Sequence, residues 1–515
     1  MTTASTKWMP VILALMAAAG CGETPTEELA PRHAARSVTA ALDESGARVV
    51  VDAGQPMGPV MRFERASTAS TSSPLPGEAT RSYLRSLDED IVRTWIQTRY
   101  VYNNGDIDYN YEFAGSHVGA EDALAFYAST SKSILIALSA YNPTSQWSMP
   151  EGTALDDFLA QTLIHYKSRY PNIRYIQVGN EPDANDETMA TYYPIYQHYY
   201  RAVNAANAAL HLTGDDRILI GNGAFTSNVP NMLEYADPFF AAFAADPDTA
   251  KKLDFFSFHS YGETNRPLEL LTARQRIDAE MQSHGLAPVP VFVTEYGMFG
   301  GSKLPARFTK ADLVTMQPAA QLTKAFYLYE GGITDVFDWA IFHASLPMKS
   351  QLSDVQTAIP YPYGNALLLA HKVSALGTRI AATSDAIDDQ GLGTHVLASM
   401  HPGQGIAVLV WNYNWRNTPP ETPFDVLVKH IPHSAVGGEK MRVTTYVIDS
   451  RTNNYYTDPS QTTLQPTSTE AMDYSDAVRI PLRLERESVA LIEITPWDAS
   501  CEHAATPPAI AGHCD

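Results

Sequence analysis

The chain is poor in cysteine, poor in basic charge and without any apolar run long enough to cross a bilayer as a mature helix. Three cysteines in 515 residues exclude a small domain built on disulfides. Lysine and arginine number 36 against 57 aspartates and glutamates, a net charge of −21. That balance argues against nucleic acid or an anionic bilayer surface as the partner, since either favours a basic patch. There is no internal repeat of solenoid period and no low-complexity block in the body of the chain. What is present is a globular composition, 45% hydrophobic, 18% charged and 10% aromatic. Its 27 tyrosines exceed its 18 phenylalanines, and such amphipathic rings suit carbohydrate faces as well as half-buried surfaces.

The N-terminus reads as an address. Lys7 precedes the apolar run "WMPVILALMAAAG", which has the length of a signal-peptide core. It ends in "AAAGCG", which resembles the bacterial lipobox with Cys21 as the lipidated residue; cleavage by ordinary signal peptidase is the competing reading. Residues 1–21 are therefore expected to be a lipoprotein signal peptide and 22–46 a polar, proline-containing tether. The protein is expected to be exported and lipid-anchored in a bacterial envelope membrane, with the lipid as its only membrane contact. In the tail at 499–515, Cys501 and Cys514 in "CEHAATPPAIAGHC" are expected to pair as a disulfide, which export permits. Free thiols, or a metal site with His503 and His513, are the alternatives.

The size exceeds one ordinary core and fits a barrel of about 250 to 300 residues plus a smaller domain. Strand-like runs "DIVRTWIQ", "SILIALSAYN", "IRYIQVGN", "RILIGNGAF", "DFFSFHSYG", "VPVFVTEYG" and "TDVFDWAIFH" recur, preceded by "ARVVVDA" and "VMRFERA". Stretches such as "LDDFLAQTLIHYKSRY" carry apolar residues at helical spacing between them. Alternation of strand and helix means a parallel sheet, and the strand count favours an α/β (β/α)8 TIM barrel over residues 47–374. Beyond that, "GIAVLVWNYN", "KMRVTTYVID" and "SVALIEITPW" are short alternating runs without helices, the pattern of an antiparallel β-sandwich over residues 375–498. "GNGAF" lacks the phosphate-binding fingerprint and reads as a turn at the barrel mouth, and "DDQGLG" reads as a turn rather than a calcium loop. No metal constellation stands out in the barrel region, and no cofactor is expected.

The chemistry concentrates at two strand ends. In "YIQVGNEPD" a proline follows Glu181 and stops the ladder, because it has no N–H to donate. In "VPVFVTEYGMF" Glu295 holds a similar position. Parallel strands of one barrel bring both carboxylates to its C-terminal mouth, where barrel chemistry collects. Paired carboxylates flanking a bond are what glycoside hydrolysis requires. The amide of Asn180, next to Glu181, is placed to bond a sugar hydroxyl beside the reacting carbon.

"VGNEPD" together with "VTEYG" resembles clan A glycoside hydrolases, retaining enzymes on (β/α)8 barrels. The order of motifs is most similar to glycoside hydrolase family 39, which includes β-xylosidases and α-L-iduronidases. The resemblance implies Glu181 as acid/base, Asn180 as its partner and Glu295 as nucleophile. It further implies that Arg93 in "RTW" keeps the nucleophile ionised, that His259 and Tyr261 in "FHSYG" orient groups near it, and that Trp339 in "DWAIFH" floors the sugar subsite. Val178 and Gly179 stand where family members often carry a tryptophan, so the sugar is not carried over. Glu181 should then sit where charge is disfavoured, Glu295 should stay anionic, and their carboxyls should lie about 5 Å apart. A carbohydrate substrate follows, in a retaining hydrolase of oligo- or polysaccharides. An inverting hydrolase, a transglycosylase and a non-catalytic carbohydrate-binding lipoprotein on a degenerate barrel are the alternatives.

Overall fold

The computed structural model describes residues 47–69, 74–103, 105–112, 117–139, 149–184, 188–226, 232–301, 303–415 and 421–497. Eight parallel strands pair in chain order: Ala66–Thr68, Ile91–Ile96, Ser133–Leu138, Ile173–Asn180, Leu219–Ala224, Phe256–Ser260, Val291–Tyr296 and Asp335–Trp339. The eighth pairs back onto the first, and parallel bridges Gly221 to Phe255 and Phe225 to Phe258 close the ring between the fifth and sixth. Helices such as Thr153–Arg169, Met189–Ala209 and Lys310–Glu330 form the crossovers, so the architecture is a (β/α)8 barrel. Strand residues alternate between two environments. Val92, Ile136, Ile176 and Val293 face the helices in the main core. Ile91, Leu135, Phe255, Phe292 and Phe337 form a separate cluster. Its rings pack together, with Phe255 stacked on Phe292 of the neighbouring strand at 4.7 Å and Tyr175 of the fourth strand edge-on to Phe292 at 5.3 Å, and fill the interior beneath the mouth.

The C-terminal domain is one sheet of nine strands, in the order Ser468–Asp473, Lys440–Ile448, Val489–Pro496, Gly405–Tyr413, Gly393–His401, Thr378–Ser384, Ala47–Pro59, Glu421–Lys429, Ala477–Glu485. Val408, Val410 and Ile492 from one half share a core with Val426, Ile480 and Leu482 from the other, so the sheet folds over itself into two layers. Its pairings are antiparallel except where Ala47–Pro59 runs parallel to Glu421–Lys429. Here the expected domain boundary needs correction. Ala47–Pro59 precedes the barrel in sequence but belongs to the second sheet, because Val49, Val51 and Ala53 bury one face in the sandwich core. Irregularities at Asp52/Pro56 and Pro56/Gly58 then bend the strand toward the barrel. "VMRFERA" is mostly a connection, whose last residue opens the first barrel strand. "GNGAF" is not a turn either, since Leu219–Ala224 is the fifth barrel strand. Its glycines admit close neighbours: a Cβ on Gly223 would meet the Val178 carbonyl oxygen at 2.3 Å. "DDQGLG" is a turn, closed by Asp388 Oδ1 accepting from the Gln390 and Leu392 amides.

The two domains share an apolar core. Leu409, Trp411 and Tyr413 belong to the same cluster as the barrel helices. The Trp411 indole N–H donates to Thr323 Oγ1 at 2.8 Å, and the Tyr413 hydroxyl donates to the Thr264 carbonyl at 2.5 Å. Thr264 lies in the loop after the sixth strand, so the sandwich reaches the rim of the barrel mouth.

Candidate active site

Local backbone features aim the site residues. Arg93 sits in the second strand, two residues before Trp95, so both share the inward face. On the seventh strand, Val293 pairs with Phe258 but Glu295 pairs with His259. One extra residue, Thr294, therefore bulges out of register, and a bulge re-aims the side chain that follows it. Glu295 consequently stands beside His259 instead of pointing into the helix layer. At the end of the fourth strand, Gly179 has φ +83° and Glu181 φ +51°. The left-handed region costs a non-glycine residue about 1 to 2 kcal/mol. Neighbours hold it there: the Glu181 N–H donates to the Ala224 carbonyl at 3.0 Å, and the Asp183 carboxylate accepts from the Thr226 hydroxyl at 2.6 Å.

The residues so placed form one connected cluster. Arg93, buried to 0% side-chain exposure, bonds Glu295 Oε1 through Nη1 at 2.6 Å and Asn180 Oδ1 through Nη2. The Tyr261 hydroxyl donates to Glu295 Oε2 at 2.7 Å. His259 Nδ1 lies 2.8 Å from Glu181 Oε1 and 3.6 Å from Glu295 Oε2. With two carboxylate acceptors there, Nδ1 is assigned as carrying a proton; Nε2 is buried and has no hydrogen-bond partner among the described residues. Donor atoms of Glu181, His259 and Glu295 all lie within 4.8 Å of one another. The two carboxylates differ in access: the Glu295 side chain is 7% exposed and that of Glu181 29%. Trp339 packs edge-on against Trp95 at 5.5 Å, and the Trp339–Ala340 peptide is cis. Trp95 in turn lies under the Arg93 guanidinium at 4.7 Å.

Electrostatics corrects one expectation. Burial pushes the Glu181 carboxyl up, but the hydrogen bond and charge of His259 and the charges of Arg93 and Lys349 outweigh it and hold the group below its ordinary value. The unliganded site thus favours the ionised form of Glu181. Tyr261 is pushed well up, by burial and then by the Glu295 charge, and so stays a hydroxyl donor.

Three contributors lie outside the residues picked from the sequence. Trp95 had a signal, its period-2 relation to Arg93. Lys349, in the turn Pro347–Lys349 after the eighth strand, and Lys324, on the helix Lys310–Glu330, had none. Lys324 donates to the carbonyls of Ser260, Gly262 and Gly297 at 2.9, 2.7 and 2.9 Å. These are the segments that carry Tyr261 and follow Glu295. Glu181, His259 and Glu295 also have the donor types and closeness to take a cation, but Glu295 is already paired with Arg93. Asp237, Glu280 and His284 form a second such group on the outer helices. Cys21, Cys501 and Cys514 lie outside the described residues.

No family model matches the chain, and no curated protein matches it in sequence. In fold it is similar to a glucosidase from Croceicoccus marinus, with TM-score 0.64 and 16% identity over 88% of this chain and 99% of that one. It is likewise similar to the GH39 enzyme from Xanthomonas axonopodis pv. citri, with TM-score 0.61 and 16% identity over 88% and 98% of the two chains. A monomeric β-xylosidase from Caulobacter crescentus CB15 matches with TM-score 0.58 and 15% identity over 87% and 99%. At these identities the likeness establishes the fold alone, a (β/α)8 barrel with an appended β-sandwich.

Proposed function

We propose that this protein is a retaining glycoside hydrolase that cleaves O-glycosidic bonds of oligo- or polysaccharides by double displacement. The observation that carries the reading is the carboxylate pair at the ends of the fourth and seventh barrel strands, with oxygens within 4.8 Å. Retaining enzymes hold their carboxyls about 5 to 5.5 Å apart, and inverting ones keep about 6.5 to 9.5 Å for a water. The activities named for the structurally similar glucosidase and β-xylosidase support it. Glu295, held by Arg93 and Tyr261, attacks the anomeric carbon as the leaving oxygen takes a proton from Glu181. Glu181 then withdraws a proton from the water that breaks the glycosyl ester. Its lowered titration suits this second, basic step. Asn180, fixed by Arg93, is placed for the neighbouring sugar hydroxyl, and Trp339 for the sugar face. The lipobox-like N-terminus extends the proposal to an exported, lipid-anchored enzyme of the bacterial envelope.

Substitution of each glutamate separates the roles. Glu295→Ala removes the attacking group and should abolish turnover on every substrate. Glu181→Ala should retain glycosylation by dinitrophenyl glycosides, whose leaving group needs no proton, and lose it on poor leaving groups. Azide should speed breakdown of the intermediate in Glu181→Ala and give the glycosyl azide of retained configuration. Equal loss on good and poor leaving groups, with no azide product, refutes the assignment.

A further inference from the structure

Asp237, Glu280 and His284 meet on the outer helix layer of the barrel, and no step of the proposed reaction uses them. Asp237 lies on the helix Leu233–Ala245, which follows the fifth strand, and Glu280 on the helix Ala273–Ser283, which follows the sixth. His284 caps the C-terminus of the second helix. The two helices are neighbours, anchored by buried Ala236, Phe239 and Phe240 on the first and Ile277 and Met281 on the second. Glu280 and His284 are four residues apart and so share one helix face, against which Asp237 is brought from the other helix. His284 Nε2 lies 2.7 Å from Asp237 Oδ1 and 3.5 Å from Glu280 Oε1. One donor atom from each residue lies within 4.8 Å of the other two.

The charge at this point is one-sided. Among the described residues neither carboxylate has a lysine or arginine within the 4.0 Å of an ion pair. The helix Ala273–Ser283 carries no basic residue in its last turn, so the negative end of its dipole adds to the two carboxylates and favours a cation there. Only an imidazole answers them, and its ring nitrogen is itself a metal ligand.

We infer that Asp237, Glu280 and His284 bind a divalent transition metal of the zinc class, which ties the two helices together. Zinc bonds of about 2.0 to 2.2 Å at tetrahedral angles hold neighbouring donors about 3.3 Å apart. The His284–Glu280 spacing of 3.5 Å meets this already. The His284–Asp237 spacing must open from 2.7 Å to about 3.3 Å, a movement available to Asp237, whose side chain is 54% exposed. Facing a carboxylate, Nε2 is assigned as carrying a proton; as the metal takes that place the proton leaves, to Nδ1 or to solvent. The solvent that reaches Asp237 supplies water as the fourth ligand. An imidazole nitrogen among the donors selects zinc, copper or nickel over calcium and magnesium, which take oxygen. The site shares no residue with the carboxylate pair, so it is independent of the hydrolase reading.

Calorimetric titration of the full chain, stripped of metal, with zinc chloride tests this. Wild type should take up one equivalent more than His284→Gln. Zinc held by the Glu181, His259 and Glu295 group, or by the C-terminal cysteines and histidines, appears in both proteins and cancels in the difference. Changes to the outer partners of a metal ligand weaken binding about 10- to 100-fold, so loss of a direct ligand should weaken this equivalent about 100-fold or more. Asp237→Asn, at an exposed side chain, should weaken it as well, and it decides alone where His284→Gln fails to fold. Because the metal binds the folded chain, zinc should also raise the wild-type Tm in a concentration-dependent way and raise that of each variant less. Absence of the extra equivalent in wild type, an equivalent that survives either substitution unchanged, or calcium bound there as tightly as zinc overturns the inference and leaves an ion-paired histidine in its place.

Discussion

Replacing Lys324 with methionine should destabilise the protein and, on the proposed mechanism, slow turnover as well, because one ammonium holds the segments that follow the sixth and seventh barrel strands. Its three N–H groups are all used, on carbonyls at 2.9, 2.7 and 2.9 Å. An orphaned buried acceptor costs about 1 to 3 kcal/mol, so the three together cost about 3 to 9 kcal/mol. An opposing term arises because the lysine pays for desolvation: burial lowers its titration, against Glu263, from 10.5 to about 8. At 1.36 kcal/mol per pH unit, that drop is worth about 3 kcal/mol. Methionine removes this cost, and the net loss at neutral pH should be about 0 to 6 kcal/mol. The sign of the pH dependence follows. Between about 8 and 10.5 the unfolded chain keeps a proton on Lys324 that the folded chain has released, so wild-type stability rises with pH in that interval. Methionine has nothing to titrate, so the gap between wild type and variant should widen from pH 8 to pH 10. Urea unfolding at a series of pH values, followed by tryptophan fluorescence, reads the gap directly. A misplacement of about 1 Å at Glu295 or Tyr261 lowers kcat by up to about 100-fold. A gap below about 1 kcal/mol that stays flat to pH 10, with kcat unchanged, refutes the reasoning.

Two further outcomes are expected. Asp338 is pushed up by burial, against hydrogen bonds from Gln351 and Ser67, from 3.8 to about 7. Its contribution to stability is thus full below 3.8 and lost as pH rises through about 7. Asp338→Asn should gain on the wild type by about 4 kcal/mol between pH 4 and pH 8, and a pH-independent difference in urea midpoint counts against this. Cys21→Ala should shift the protein expressed in a bacterial host from the membrane to the soluble fraction, and wild-type protein that takes up no labelled fatty acid excludes lipidation.

The barrel was legible because its signals are local. A strand facing helices outside and a packed interior inside reads as a near-continuous apolar run, and a proline after Glu181 marks a strand end whichever strands lie beside it. The neighbours of a strand are not local. "ARVVVDA" has the same alternation in a barrel or a sandwich, and only the packing of Val49 and Val51 against the C-terminal core decides between them. The same distinction divides the site. Glu181 and Glu295 could be paired from their strand ends, whereas the bulge that turns Glu295 toward His259 depends on register with the sixth strand. The resemblance added Arg93, His259, Tyr261 and Trp339; the structure joins Arg93 and Tyr261 to Glu295 and His259 to Glu181, and sets Trp339 against Trp95.

Lysine is ordinarily a surface residue, so nothing in "LPMKSQ" or "AQLTKAF" distinguishes Lys349 and Lys324 from solvated side chains. The resting state of Glu181 was hidden for the same reason. Its burial alone argues for a neutral acid, and the sign reverses only when Arg93, His259 and Lys349 are added, from segments far apart in the chain. A carboxylate's motif therefore identifies it as a candidate acid, but the sum of charges where the chain brings those segments together sets the form in which it rests, and a substrate that alters that sum changes the form.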